Sequence, residues 1–191
     1  MTDEERSLRA DARINEDRIL RAAADAFQRP HADTSMKAIA KQAGVGIGTL
    51  YRRFPTREQL IEAVYRSETE NLAAYASKLL KTNPPDAAFR KWVGRFLDYM
   101  MTKDGMAEAL PSILAKRAGL RVESRDLLRD AIAQLLRAPG GSLRADTPAD
   151  DVMMAIGGIA LIAGHESDRA LGTRLTNMLI EGLTTARVPA A

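Results

Sequence analysis

Between Ser35 and Arg57 the chain carries Lys37, Lys41, Arg52, Arg53 and Arg57 without a single Asp or Glu, while acidic residues crowd both flanks. Cations cleared of carboxylates suit a surface that must approach phosphates, because each phosphate neutralised releases condensed counterions. The same charges also fit a solvated basic face on an ordinary helical hairpin, and charge alone does not separate the two. The order of residues does. Ser35 is a good N-cap, Met36 to Ala43 has helical spacing through Ile39 and Ala43, and Gly44 can take the left-handed conformation that ends a helix. Ile47, Leu50, Tyr51 and Phe54 then fall at helical intervals, and Ala40 is small enough to let two axes cross closely. Two short helices and a tight turn make a helix-turn-helix, whose second member lies in a DNA major groove.

The string AKQAGVGIGTLYRRFPTREQLIEAVY, Ala40 to Tyr65, closely resembles the DNA-binding domain of the TetR family of bacterial one-component repressors. The resemblance runs from about Asn15 to Tyr65, and its run G-V-x-x-G-T-L-Y-x-x-F is highly specific. The rest of the chain is similar to the family in length and helical texture only. Gly46 departs from the pattern, standing where such proteins often place Ser as the N-cap, at a cost of a few tenths of a kcal/mol.

The resemblance implies a set of contacts. Ile47, Gly48 and Thr49 would begin the exposed start of the recognition helix, with Ile47 offering apolar contact and Gly48 letting backbone approach the DNA. Thr49, Tyr51, Arg53 and Arg57 match positions that touch phosphates, and Lys37 and Arg52 would reach bases or phosphates. Ser35 would present the amides of the first helix to a phosphate. Tyr51 as a core residue and Arg57 as the partner of a Glu are the structural alternatives.

These residues need elements to hold them. A chain of 191 residues at 46% hydrophobic can bury a real core. The reading is all-α: a three-helix N-terminal helix-turn-helix domain joined by a long helix to a larger helical ligand-binding and dimerisation domain. Residues 1–14 read as a mobile arm, 15–65 as the DNA-binding domain and 66–187 as the second domain. In the arm, Arg6, Arg9 and Arg13 would reach a minor groove or belong to a frayed tail. A first helix from about Asn15 has the stripe Ile19, Ala23, Ala26 and Phe27, and Pro30 to Thr34, with His31, closes it off. Pro55 stops the recognition helix, and Thr56 with Gln59 forms a capping box for a long helix ended by Asn83, Pro84 and Pro85. That helix reads as a rigid lever into the second domain.

Further helices are expected over residues 87–102, 106–116 with Pro111 kinking or dividing the piece, and 124–138. Arg137 to Asp150 is the clearest loop. Asp150 to Gly164 is apolar nearly all round, with Gly157, Ala160, Ala163 and Gly164 permitting close helix contact, and Asp168 to Thr185 follows. The resemblance implies that these last two helices pair with their copies in a homodimer; a buried core helix in a monomer is the alternative. A dimer would read a near-palindromic double-stranded operator.

The resemblance also implies a small-molecule effector, with no further cofactor, bound beyond Tyr65 and releasing a repressor from its operator. Trp92, Phe96, Met100, Met101, Met153, Met154 and His165 are its candidate lining, although the same stripe fits ordinary core.

Composition narrows the other classes. The absence of Cys excludes thiol catalysis, a disulfide framework and Cys-ligated zinc. Only His31 and His165 exist, far apart, and no inward acid pair is apparent, so neither a metal site nor an enzyme is expected. The formal net charge of +3 is mild for a nucleic-acid binder, so the DNA site must be a local patch. A helical protein-interaction module with a vestigial helix-turn-helix is the surviving rival. The acidic start is no signal peptide and no apolar run reaches membrane length, which gives the expectation of a cytoplasmic protein without a membrane partner.

Overall fold

The computed structural model describes residues 3–29, 32–166 and 168–184, with side chains from residue 12 onward. Among them are α1 (Asp3–Gln28), α2 (Met36–Ala43), α3 (Ile47–Arg53), α4 (Arg57–Thr82), α5 (Pro85–Asp104), α6 (Leu110–Lys116), α7 (Ala118–Leu136), α8 (Ala149–His165) and α9 (Arg169–Leu183). No strand occurs among the described residues; Leu143 and Thr184 form an isolated bridge. The fold class is all-α, as expected.

Several bounds differ from expectation, each for a local reason. α1 begins at Asp3, so from that residue on the stretch expected to fray is helical. The sequence there includes Leu8, Ala10 and Ala12, which are good helix formers. Pro111 neither kinks nor divides a helix: it sits in the first turn of α6, where its missing N–H has no intrahelical partner to lose. α7 starts at Ala118 rather than Ser124. His31 lies outside the described residues.

The described chain divides into two compact units, residues 1–67 with 102–117 and residues 68–101 with 118–191. Thr102 to Arg117 thus groups with the helix-turn-helix, which periodicity does not reveal. Gln28 Nε2 donates to Thr102 Oγ1 at 2.8 Å. At Gly105 a Cβ would lie 1.9 Å from the Phe27 carbonyl oxygen, so only glycine fits there.

In the second unit the buried Trp92 donates its indole N–H to the Leu72 carbonyl at 2.8 Å. Its ring lies 5.7 Å from Phe96, and Arg95 and the buried Glu68 pair at 2.6 Å. α8 packs on α7 and on α9. The close approach of α8 and α9 runs through Gly172, whose hypothetical Cβ would stand 3.0 Å from the Ala163 Cβ, whereas Gly157 and Gly164 have nothing near them. α8 is also not buried on most sides of its own chain. Met154 (66% exposed), Leu161 (65%) and Ile162 (55%) face outward, as does Met178 (66%) on α9.

Candidate nucleic-acid interface

The two short helices are held from beneath by a small apolar core. Ile39 and Ala40 of α2 and Leu50 of α3 are buried with Phe54, as are Ile19, Ala23 and Phe27 of α1. Only half of the apolar series in α3 is used this way, because Ile47 (42%) and Tyr51 (48%) remain exposed. A helix of 7 residues has one inward face, and Leu50 with the following Phe54 fills it. Large apolar side chains left outside are therefore free to touch something else.

The ends of α2 explain its fixed orientation. Ser35 has extended backbone, and its Oγ accepts from the Ala38 N–H at 3.2 Å. Asp33 Oδ1 in turn accepts from the Ser35 N–H at 2.9 Å. That bond to the backbone, with the Ser35 side chain contributing, holds the Asp33 carboxyl below its ordinary pKa. At the other end Gly44 is left-handed at φ 64°, and the Gly44 and Val45 N–H groups return to the carbonyls of Lys41 and Ala40 in a Schellman turn. Gly46, extended at φ −65° and ψ 143°, opens α3 without a side-chain cap.

The expected contact residues fall on one chain segment but differ in accessibility. Ser35, Lys37, Ile47, Gly48, Tyr51, Arg52 and Arg53 are exposed, and Thr49 is half-buried. A Cβ at Gly48 would meet nothing within 4 Å. Arg52 Nη2 donates to Thr49 Oγ1 at 3.2 Å, and Arg53 pairs with Glu16 of α1 at 2.5 Å. The window that is free of carboxylates in sequence is therefore not free of them in space. Arg57 is half-buried, and its guanidinium donates to the Thr34 carbonyl and, at 2.9 Å, to Thr34 Oγ1. Glu16 and Thr34 carried no signal in sequence, since both contacts span long stretches of chain.

The expected effector residues differ in accessibility. Trp92 and Phe96 are core, Met100, Met101 and Met153 are half-buried, and Met154 and His165 are exposed. The indole donor of Trp92 is taken by the Leu72 carbonyl. An open cavity of about 650 Å³ lies elsewhere in the second unit, lined by Leu80, Pro85, Asp130, Ala133, Arg137 and Pro139 among others. Among the described residues no group of His, Asp or Glu is placed to hold a metal, and no helix is long and apolar enough to cross a membrane.

Paired short helices with a capped start, a glycine turn and an outward cationic face define a helix-turn-helix DNA-binding protein. The comparisons agree. Residues 19–64 match the family model described as bacterial regulatory proteins, tetR family, and residues 84–185 match that of the transcriptional regulator SbtR-like C-terminal domain. The fold is similar to the TetR transcriptional regulator SCO0520 of Streptomyces coelicolor, at 41% identity and a TM-score of 0.81, covering 89% of this chain and 98% of that one. It is also similar to a TetR regulatory protein of Mycobacterium vanbaalenii (25% identity, TM-score 0.72, 93% and 99% covered). The TetR-like regulator LfrR of Mycobacterium smegmatis, solved in complex with proflavine, aligns at 25% identity and a TM-score of 0.61, over 91% of this chain and 98% of that one. No curated protein matches the chain. The chain belongs to the TetR family: it is a DNA-binding transcriptional regulator, in a family of regulators rather than enzymes.

Proposed function

We propose that this regulator is a cytoplasmic repressor that binds a near-palindromic duplex as a homodimer and leaves it when a small molecule binds within residues 66–187. The observation that carries the DNA reading is the outward face of α2 and α3, where Lys37, Ile47, Gly48, Tyr51, Arg52 and Arg53 are exposed over a buried Leu50. Arg52, Arg53, Lys37 and Tyr51 supply phosphate or base-edge contacts, and Ser35 offers the first amides of α2 to a phosphate. Gly48 leaves backbone accessible at the point of deepest approach, beside Ile47 and Thr49. Arg53 must give up Glu16 to a phosphate, an exchange between two solvent-screened partners that costs little.

Met154, Leu161, Ile162 and Met178 support pairing through α8 and α9, because side chains this apolar gain from a second copy covering them. The family and the proflavine complex of LfrR support a small-molecule effector. Met100, Met101 and Met153 are the half-buried, flexible side chains that would rearrange to admit one. A ligand acts only through its preference for one of two states, and a preference of about 10⁴-fold reverses a 1:99 population.

The test is selection of duplexes from a random-sequence pool by the purified chain, followed by affinity measurements across salt concentrations. A related set of near-palindromes whose binding weakens steeply with salt is the expected result. Unselective retention, or no retention, would leave the interaction-module reading in its place.

A further inference from the structure

We infer that Arg57 is a positioning residue for the helix-turn-helix and makes no phosphate contact of its own; this rests on the DNA-binding reading above. Arg57 is the first residue of α4. Its Nη1 donates to the Thr34 carbonyl oxygen and its Nη2 to Thr34 Oγ1 at 2.9 Å. Its Cζ lies 5.6 Å from the centroid of Phe27, a ring that is 3% exposed in the last turn of α1. One guanidinium thus joins the end of α1, the loop entering α2 and the start of α4.

The chemistry suits a clamp. A planar fork engages two acceptors of one residue at once while its face lies on an aromatic ring, an arrangement that an ammonium cannot reproduce. The residue gripped is Thr34, immediately before Ser35, and Ser35 is the cap that starts α2. Arg57 therefore fixes where the α2 amides and Lys37 stand, and through the Gly44 turn where α3 begins. Arg52 and Arg53, by contrast, stand out in solvent. Holding groups in their bound geometry raises affinity by reducing what must be ordered on binding. A phosphate contact and a clamp both weaken DNA binding when removed, but they differ in salt dependence and in what rescues them.

The experiment uses the full chain and a duplex obtained by the selection described above. Affinity across salt and thermal melting are measured for wild type, Arg57→Ala, Arg57→Lys, Thr34→Val, the Arg57→Ala/Thr34→Val double variant, and Lys37→Ala as a phosphate-contact control. The expected result is a loss of about tenfold for both Arg57 variants and roughly threefold for Thr34→Val. The slope of log K against log salt stays at the wild-type value in all of these, and the double variant binds no worse than Arg57→Ala alone. Lys37→Ala lowers the slope by about one unit. A slope reduced by about 0.9 in Arg57→Ala and restored by Arg57→Lys overturns the inference, as does Thr34→Val binding like wild type. If Arg57→Ala does not fold, Arg57→Lys and Thr34→Val decide the matter alone. A wild-type chain that selects no duplex overturns the DNA reading itself, an outcome distinct from these.

Discussion

At the scale of single residues, the recognition helix trades stability for access. Gly48 lies inside α3, where glycine costs up to about 1 kcal/mol relative to alanine, yet nothing within 4 Å forbids a Cβ. Gly48→Ala is expected to raise the melting temperature by roughly 2–4 °C while weakening DNA binding, because the new methyl stands between backbone and base edges. Calorimetry and a binding titration on the same sample check both signs. Asp33 makes a second residue-level prediction. Its carboxyl pKa is lowered in the fold by the Ser35 backbone N–H. The stabilisation is therefore complete above the ordinary unfolded carboxylate pKa and is lost as pH falls through the lowered folded value. Asp33→Asn is expected to flatten the acid limb of the melting profile by lowering the neutral-pH melting temperature toward its acid value.

At the scale of elements, what is legible in the sequence is what depends on neighbours along the chain. The Ser35 cap, the Gly44 turn, the Thr56 and Gln59 box and the stop at Asn83 are all short-range chemistry, and the structure has each of them. Contacts across long stretches left no mark. Gln28 with Thr102, Arg53 with Glu16 and Arg57 with Thr34 cannot be read from spacing. The aromatic and Met stripe of α5 has the same periodicity whether it lines a pocket or fills a core, so spacing alone does not assign Trp92 and Phe96, which are buried. The turn between α5 and α6 carries the prediction for this scale. Gly105→Ala drives a methyl into the Phe27 carbonyl and is expected to cost about 2–3 kcal/mol, read as an earlier denaturant midpoint with an unchanged m value.

At the scale of the whole molecule, the proposed homodimer would cover the apolar residues that α8 leaves exposed. A lone chain leaves Met154, Leu161, Ile162 and Met178 in water. Leu161→Glu places a charge on that surface without touching the helix-turn-helix, and it is expected to yield monomers in sedimentation. Affinity for a palindromic duplex should fall by about a hundredfold or more, since two linked heads gain from effective concentration what one head lacks.

The most direct test of the central claim is methylation protection on the selected duplex, because guanine N7 lies in the major groove and reports what enters it. Two dyad-related patches of protected guanines, centred about 10 base pairs or more apart, are the predicted result for α3 docking twice. A single patch, or guanines left fully reactive under saturating protein, would contradict the account.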